Sequence, residues 1–103
     1  MLVDINRLGL TNAQARDFSM IQPYLEYGNW VTSISLARIL YMEGNYSRKE
    51  ISRLSKILSN LYHNTNLLIR KEKRRMYFHL IHKKHLSTWA YKLNPDIIKE
   101  YEI

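Results

Sequence analysis

Cationic and short polar residues recur on one side of the segment between Ser47 and His63. An apolar stripe centred between Leu54 and Leu58 marks the other side, because successive helical residues turn by about 100°. Arginine and lysine donate to guanine O6 and N7, asparagine pairs with adenine, and serine hydroxyls bind phosphate. We therefore expect nucleic-acid contacts from seven residues of this segment: Arg48, Lys49, Ser52, Arg53, Lys56, Ser59 and Asn60.

Glu50 is the only acidic residue of this segment, and its position explains its presence. Ser47 and Glu50 form the Ser-x-x-Glu pattern of a capping box, in which each side chain satisfies the other residue's backbone N–H. A solvated helix face ordinarily mixes charges of both signs, so that residues four apart pair with each other. The near absence of acids here favours an external polyanion.

A second cationic cluster is the run Lys71-Glu72-Lys73-Arg74-Arg75, with four cations in five residues. Aliphatic and aromatic residues dominate 67–71 before it and 76–81 after it, which predicts two strands joined by the run as a charged turn. Cations at a hairpin tip lie on phosphates or enter a narrow minor groove. Lys71, Lys73, Arg74 and Arg75 are thus the second set of predicted contacts.

The charge of the whole chain agrees with these two clusters. The net charge is +7, and it is concentrated in one half. Residues 1–45 hold three Lys or Arg against four acids, whereas residues 46–103 hold thirteen against five. Such an asymmetry is the electrostatic footprint of a polyanion partner.

Other kinds of chemistry find little support in the sequence. The chain has no cysteine, so disulfides and thiolate metal sites are excluded. The carboxylates are dispersed and there is no phosphate-cradling glycine loop. His79, His82 and His85 are spaced three apart, but on a strand His79 and His82 point to opposite faces. We expect no enzyme activity, no metal and no cofactor, and the sequence does not reveal a small-molecule effector.

Local signals predict the helices that position these residues. Thr11 and Gln14 form a capping box for a helix over 11–27 that ends or kinks near Pro23. A second helix is capped by Thr32 or Ser33 and ends at 43–45, with Gly44 or Asn45 in a left-handed cap.

The remaining elements follow the apolar stripe. The helix after Ser47 stops at Asn64-Thr65-Asn66, and a last short helix runs from Pro95 to Tyr101. The segment 85–93 fits either a helix or a strand. The expected fold is one domain over 1–103, mainly α with a small β-hairpin, an α+β class.

The apolar runs and the amino-terminal residues bear on where in the cell the protein is expected. No apolar run approaches the roughly 18 residues that span a bilayer. The start, Met1-Leu2-Val3-Asp4, lacks the apolar core of a secretory signal. We expect a cytoplasmic, intracellular protein without membrane contact.

The order helix, short strand, helix, helix, strand, basic turn, strand resembles a winged helix-turn-helix domain. The first helix of the pair is Leu36-Ala37-Arg38-Ile39-Leu40, the recognition helix contains Leu54–Leu61, and the wing strands are Leu67–Lys71 and Met76–Leu80. The resemblance implies a helix-turn-helix over about 33–63, a wing over about 67–82, and extra terminal helices at 11–27 and in a carboxy-terminal extension over 86–103. It also implies sequence-specific binding of double-stranded DNA by a transcriptional regulator.

Proteins of this family commonly form homodimers through helices outside the helix-turn-helix. Here that implies an apolar dimer surface from segments 11–27 and 86–103, with Phe18, Met20, Ile21, Leu25, Trp89, Ile97 and Ile98.

Three alternatives remain open at this point. In a second register, residues 58–73 form the recognition helix and 76–93 the wing. In another function, Tyr77 and Phe78 stack on the bases of RNA or single-stranded DNA. In a third, a winged-helix module binds an acidic protein.

Overall fold

The computed structural model describes residues 5–25, 28–42, 45–79 and 84–101; the side chains of 74–79, 84–87 and 101 lie outside the described part. Its elements are a 3-10 turn at Ile5–Arg7, α1 (Asn12–Leu25), α2 (Ser33–Tyr41), α3 (Arg48–Asn64), β1 (Leu68–His79), β2 (Lys84–Leu93) and α4 (Pro95–Tyr101). The described part is mostly helical with one antiparallel hairpin, which confirms the α+β class.

Capping boxes begin the first three helices. Thr11 N–H donates to Gln14 Oε1 at 3.0 Å, and Gln14 N–H returns a bond to Thr11 Oγ1 at 3.2 Å. Thr32, one of the two predicted caps, exchanges the same bonds with Ser35 ahead of α2. Each box satisfies backbone donors that a helix start leaves unpaired, so these local sequences fix where the helices begin.

The helix ends agree less well with the sequence. α1 ends at Leu25, just beyond the exposed Pro23, while residues 26 and 27 of the predicted helix lie outside the described residues. α2 ends at Tyr41, and Met42 takes the positive φ of 62°. The left-handed cap predicted at Asn45 is therefore wrong, and Gly44 lies outside the described residues.

The hydrophobic core lies between the three long helices and the base of the hairpin. Its largest fully buried side chains are Phe18, Ile21, Leu25, Leu36, Leu54, Leu58, Leu61, Leu67 and Leu93. The predicted apolar stripe of α3 thus faces the core. Four residues expected at a dimer surface, Phe18, Ile21, Leu25 and Ile97, are buried within the chain itself, so that expectation is wrong for them.

The hairpin is longer than expected and turns elsewhere. β1 pairs with β2 from Leu68↔Leu93 to Arg74↔Ser87, and again at Phe78↔His85 and His79↔Lys84. The turn predicted over Glu72–Arg75 is wrong, because these residues continue β1 and the chain reverses after His79. The run has no glycine, proline, asparagine or aspartate to favour a turn. The ambiguous segment 85–93 is a strand.

Two further features complete the architecture. Val31 N–H donates to Tyr91 O at 2.8 Å and Tyr91 N–H to Val31 O at 2.7 Å, so a short bridge joins the start of α2 to β2. α3 ends at Asn64, where Thr65 N–H donates to Leu61 O, and β1 begins at Leu68. A continuous helix over 58–73, the second register, is therefore wrong.

Candidate nucleic-acid interface

The face of α3 opposite the core is exposed and lined by the predicted residues. Leu54, Leu58 and Leu61 are buried on the inner face. An open groove of about 630 Å³ runs along the outer face, and Ile57 contributes apolar lining to it. The other lining residues are Lys49, Glu50, Ser52, Arg53, Lys56 and Asn60. Five of the seven predicted α3 contacts therefore come together at one groove; Arg48 is exposed and Ser59 half-buried outside its lining.

The cations of this face are not engaged in ion pairs within the described part of the chain. Among the described residues, no acidic side chain forms an ion pair with Arg48, Lys49, Arg53 or Lys56. The ion pair of the described part joins Arg16 and Asp17 of α1 at 3.5 Å. A surface helix without internal ion pairing presents its positive potential to solvent. An anionic partner placed against it gains Coulomb energy without first breaking ion pairs.

Glu50 is held by the cap rather than by the cations. Its carboxylate accepts from Ser47 N–H at 2.8 Å and from the Ser47 hydroxyl. These hydrogen bonds, the side-chain bond foremost, hold the pKa of Glu50 below its ordinary value of 4.5. The only acid of α3 is therefore turned back onto the helix start.

The second predicted set lies along a strand rather than at a turn. Lys71 and Lys73 are exposed and lie two residues apart on β1, so they share one face of the hairpin. Arg74 and Arg75 follow them on β1, and their side chains lie outside the described part. From Lys71 to Arg75 the strand rises by about 13 Å at roughly 3.3 Å per residue, so the four positions occupy a short stretch of β1.

Sequence reasoning missed a group of cations stacked on aromatic rings at the base of the hairpin. The Lys71 and Lys92 ammonium groups lie 4.4 Å and 5.0 Å from the Trp30 ring centroid. Arg70 Cζ lies 4.2 Å from the Tyr62 centroid and 3.9 Å from the Trp89 centroid. Alternation within each strand does not relate Arg70 of β1 to Trp89 of β2. The register does, because Trp89 is paired with Glu72, two residues from Arg70 on the same face of β1.

The three histidines spaced three apart, His79, His82 and His85, have their side chains outside the described part. His79 and His85 lie on the paired strands, and His82 lies outside the described residues. Within the described ranges, no three His, Cys, Asp or Glu residues form a group that would hold a metal ion. The same part of the chain contains no helix with the length and apolar character to cross a membrane.

No protein-family model, curated protein or solved structure matches this chain.

Proposed function

We propose that this chain is a winged helix-turn-helix protein that binds double-stranded DNA in a sequence-specific way and regulates transcription inside the cell. The element order supports the proposal: α1, the Val31 bridge, α2, α3 and the β1–β2 hairpin follow one another as the resemblance requires. In this proposal α2 and α3 are the helix-turn-helix pair and the hairpin is the wing.

The observation that carries the proposal is the exposed, unpaired cationic face of α3. At 1.5 Å per residue its 17 residues extend over about 25 Å. The major groove is about 12 Å wide and admits one helix. In this proposal Asn60 reaches a base edge, Arg53 and Lys56 bind the neighbouring phosphates or a base edge, and Arg48 and Lys49 near the helix start bind phosphate.

The hairpin supplies the second contact. Lys71 and Lys73 are exposed on β1, and Arg74 and Arg75 follow them in the same strand. Because residues 71–75 lie within β1 and not in a turn, the proposed contact is made by the side of the wing and not by its tip. A strand of cations laid along the flanking backbone neutralises phosphates without reading bases.

A homodimer remains part of the proposal, since paired recognition helices match a palindromic site. The apolar residues available for its interface are fewer than the sequence implies. Trp89 is exposed, and Met20 and Ile98 are partly buried against the core.

Exposed tryptophans favour a second candidate, which is binding of single-stranded nucleic acid. Trp30 and Trp89 are 36% and 45% exposed and lie beside cations. Aromatic rings in a cationic groove are the surfaces on which unpaired bases stack. The Tyr77 and Phe78 side chains first expected in this role lie outside the described part.

Fluorescence anisotropy distinguishes the candidates. Labelled duplex DNA, single-stranded DNA and RNA of equal length are titrated with the protein from low to high salt. We expect duplex DNA to bind most tightly, with log K falling against log salt by about 0.9 for each phosphate contacted. Tighter binding of single strands selects the second candidate. Absence of binding at low salt contradicts both and points to an acidic protein partner.

A further inference from the structure

Arg70 is held by two aromatic rings where α3 meets the hairpin. Its Cζ atom lies 4.2 Å from the ring centroid of Tyr62, in the last turns of α3, and 3.9 Å from that of Trp89 on β2. Tyr62 also packs edge-to-face on Tyr91, with centroids 6.1 Å apart. The guanidinium of this β1 residue is thus held by residues of two other elements, α3 and β2. Arginine stacks on aromatic rings in this way because its charge is planar and weakly hydrated.

The stacking covers the faces of the Arg70 guanidinium and not its N–H donors. Neither an ion pair nor a hydrogen bond engages its guanidinium among the described residues. Rings cover the faces of a guanidinium, whereas its five N–H groups point outward in the plane. A half-buried arginine that is fixed in place and unpaired presents a fork with the geometry of two phosphate oxygens.

Arg70 lies next to the carboxy-terminal end of α3, beside the helix face proposed to bind DNA. Ser55, Ser59 and Tyr62 are spaced four and three residues apart, so they form one flank of α3 beside its cationic face. Tyr62, the last of these three residues, contacts Arg70 directly. Arg70 lies on the opposite face of β1 from Lys71 and Lys73, on the side of the hairpin that packs against Tyr62 of α3.

We propose that Arg70, positioned by Tyr62 and Trp89, binds a backbone phosphate of the DNA at the junction of α3 and the wing. This inference rests on the proposed DNA-binding function and adds a residue that the sequence patterns did not indicate. The phosphate contact fixes the angle at which α3 enters the major groove, because the same arginine touches both α3 and β2. It carries no sequence preference of its own.

The test compares Arg70→Met and Arg70→Lys with wild type, using anisotropy of two unrelated duplexes over a salt series. Lys99→Met is the matched control: it removes one exposed cation from α4 rather than from α3 or the hairpin. Melting curves of each variant confirm that the titrations are made on folded protein.

Arg70→Met should weaken binding to both duplexes by at least about 10-fold, the effect of losing a hydrogen bond to a charged group, and should lower the salt slope by about 0.9. Arg70→Lys keeps a point charge, so its slope should match wild type while its affinity falls because the fork is lost. Lys99→Met should change neither quantity.

An unchanged slope and affinity for folded Arg70→Met would overturn the assignment of Arg70 while leaving duplex binding by wild type intact. A loss for one duplex but not the other would also overturn it, because a phosphate contact does not distinguish sequences. Failure of wild type itself to bind duplex DNA at low salt would overturn the proposed function together with this inference.

Discussion

Neutralising Arg53 and Lys56 should weaken DNA binding strongly while leaving the fold unchanged. Both side chains are exposed in the α3 groove, and neither has an ion-pair partner among the described residues. Glutamine at each position keeps a side chain that favours helix and removes one positive charge. The double variant Arg53→Gln/Lys56→Gln therefore isolates the contribution of this face to binding.

The size of the effect follows from counterion release. Two lost phosphate contacts lower the salt slope by about 1.8, which corresponds to roughly 60-fold weaker binding at 0.1 M salt. If one of the two cations donates to a base instead, its loss costs about 1 to 3 kcal/mol and falls mainly on the preferred sequence. Stability should change by less than about 0.5 kcal/mol, as for other surface substitutions.

The assay is anisotropy with a labelled duplex from 50 to 300 mM salt, at protein concentrations on both sides of the wild-type Kd. Arg16→Gln/Lys99→Gln is the control, because it removes the same charge from α1 and α4. If the control weakens binding as much as Arg53→Gln/Lys56→Gln does, the effect is one of net charge, and the assignment of the α3 face to DNA is refuted.

Three further predictions concern the helix that carries this face. Ser47→Ala removes the N-cap acceptor of α3 and should lower stability by about 1 kcal/mol, seen as a melting temperature about 4 to 8 °C lower; an unchanged value would show that the cap contributes nothing. Because folding lowers the pKa of Glu50, the stability that its carboxylate adds is present above pH 4.5 and is lost as the pH falls through the folded-state pKa. The difference in melting temperature between wild type and Glu50→Gln should therefore shrink in acid. A difference independent of pH would contradict the charge-based cause. Leu58→Ala opens a cavity at a fully buried position and should cost about 2 to 5 kcal/mol in urea unfolding; a loss below 1 kcal/mol would show that α3 does not pack as described.

Local signals in the sequence predicted the helices well. The Ser47–Glu50 capping box and the stripe from Ile51 to Leu61 describe the start, the inner face and the outer face of α3. Both signals depend on residues that are close together in the chain, so they predict the helix without knowledge of its tertiary contacts.

Features that depend on distant contacts were predicted poorly. The charged run Lys71–Arg75 lies in a strand because β2 pairs with it, and nothing within the run reveals that partner. Phe18 and Ile97 have the residue types of a dimer interface, but the same types fill a core, and only the packed structure separates the two. Arg70 contacts the rings of Tyr62 and Trp89, which are eight residues before it and nineteen after it in the chain, so its surroundings cannot be read from its own segment.

The most direct test of DNA binding by α3 is a map of the protein residues that respond to duplex DNA. Amide chemical shifts of the 15N-labelled, 12.4 kDa protein are followed as a duplex is added at low salt. The largest changes should fall on Lys49–Asn60 of α3 and on Arg70–Lys73 of β1. Changes confined to α1 and α4, or no change while duplex is in excess, would contradict the account.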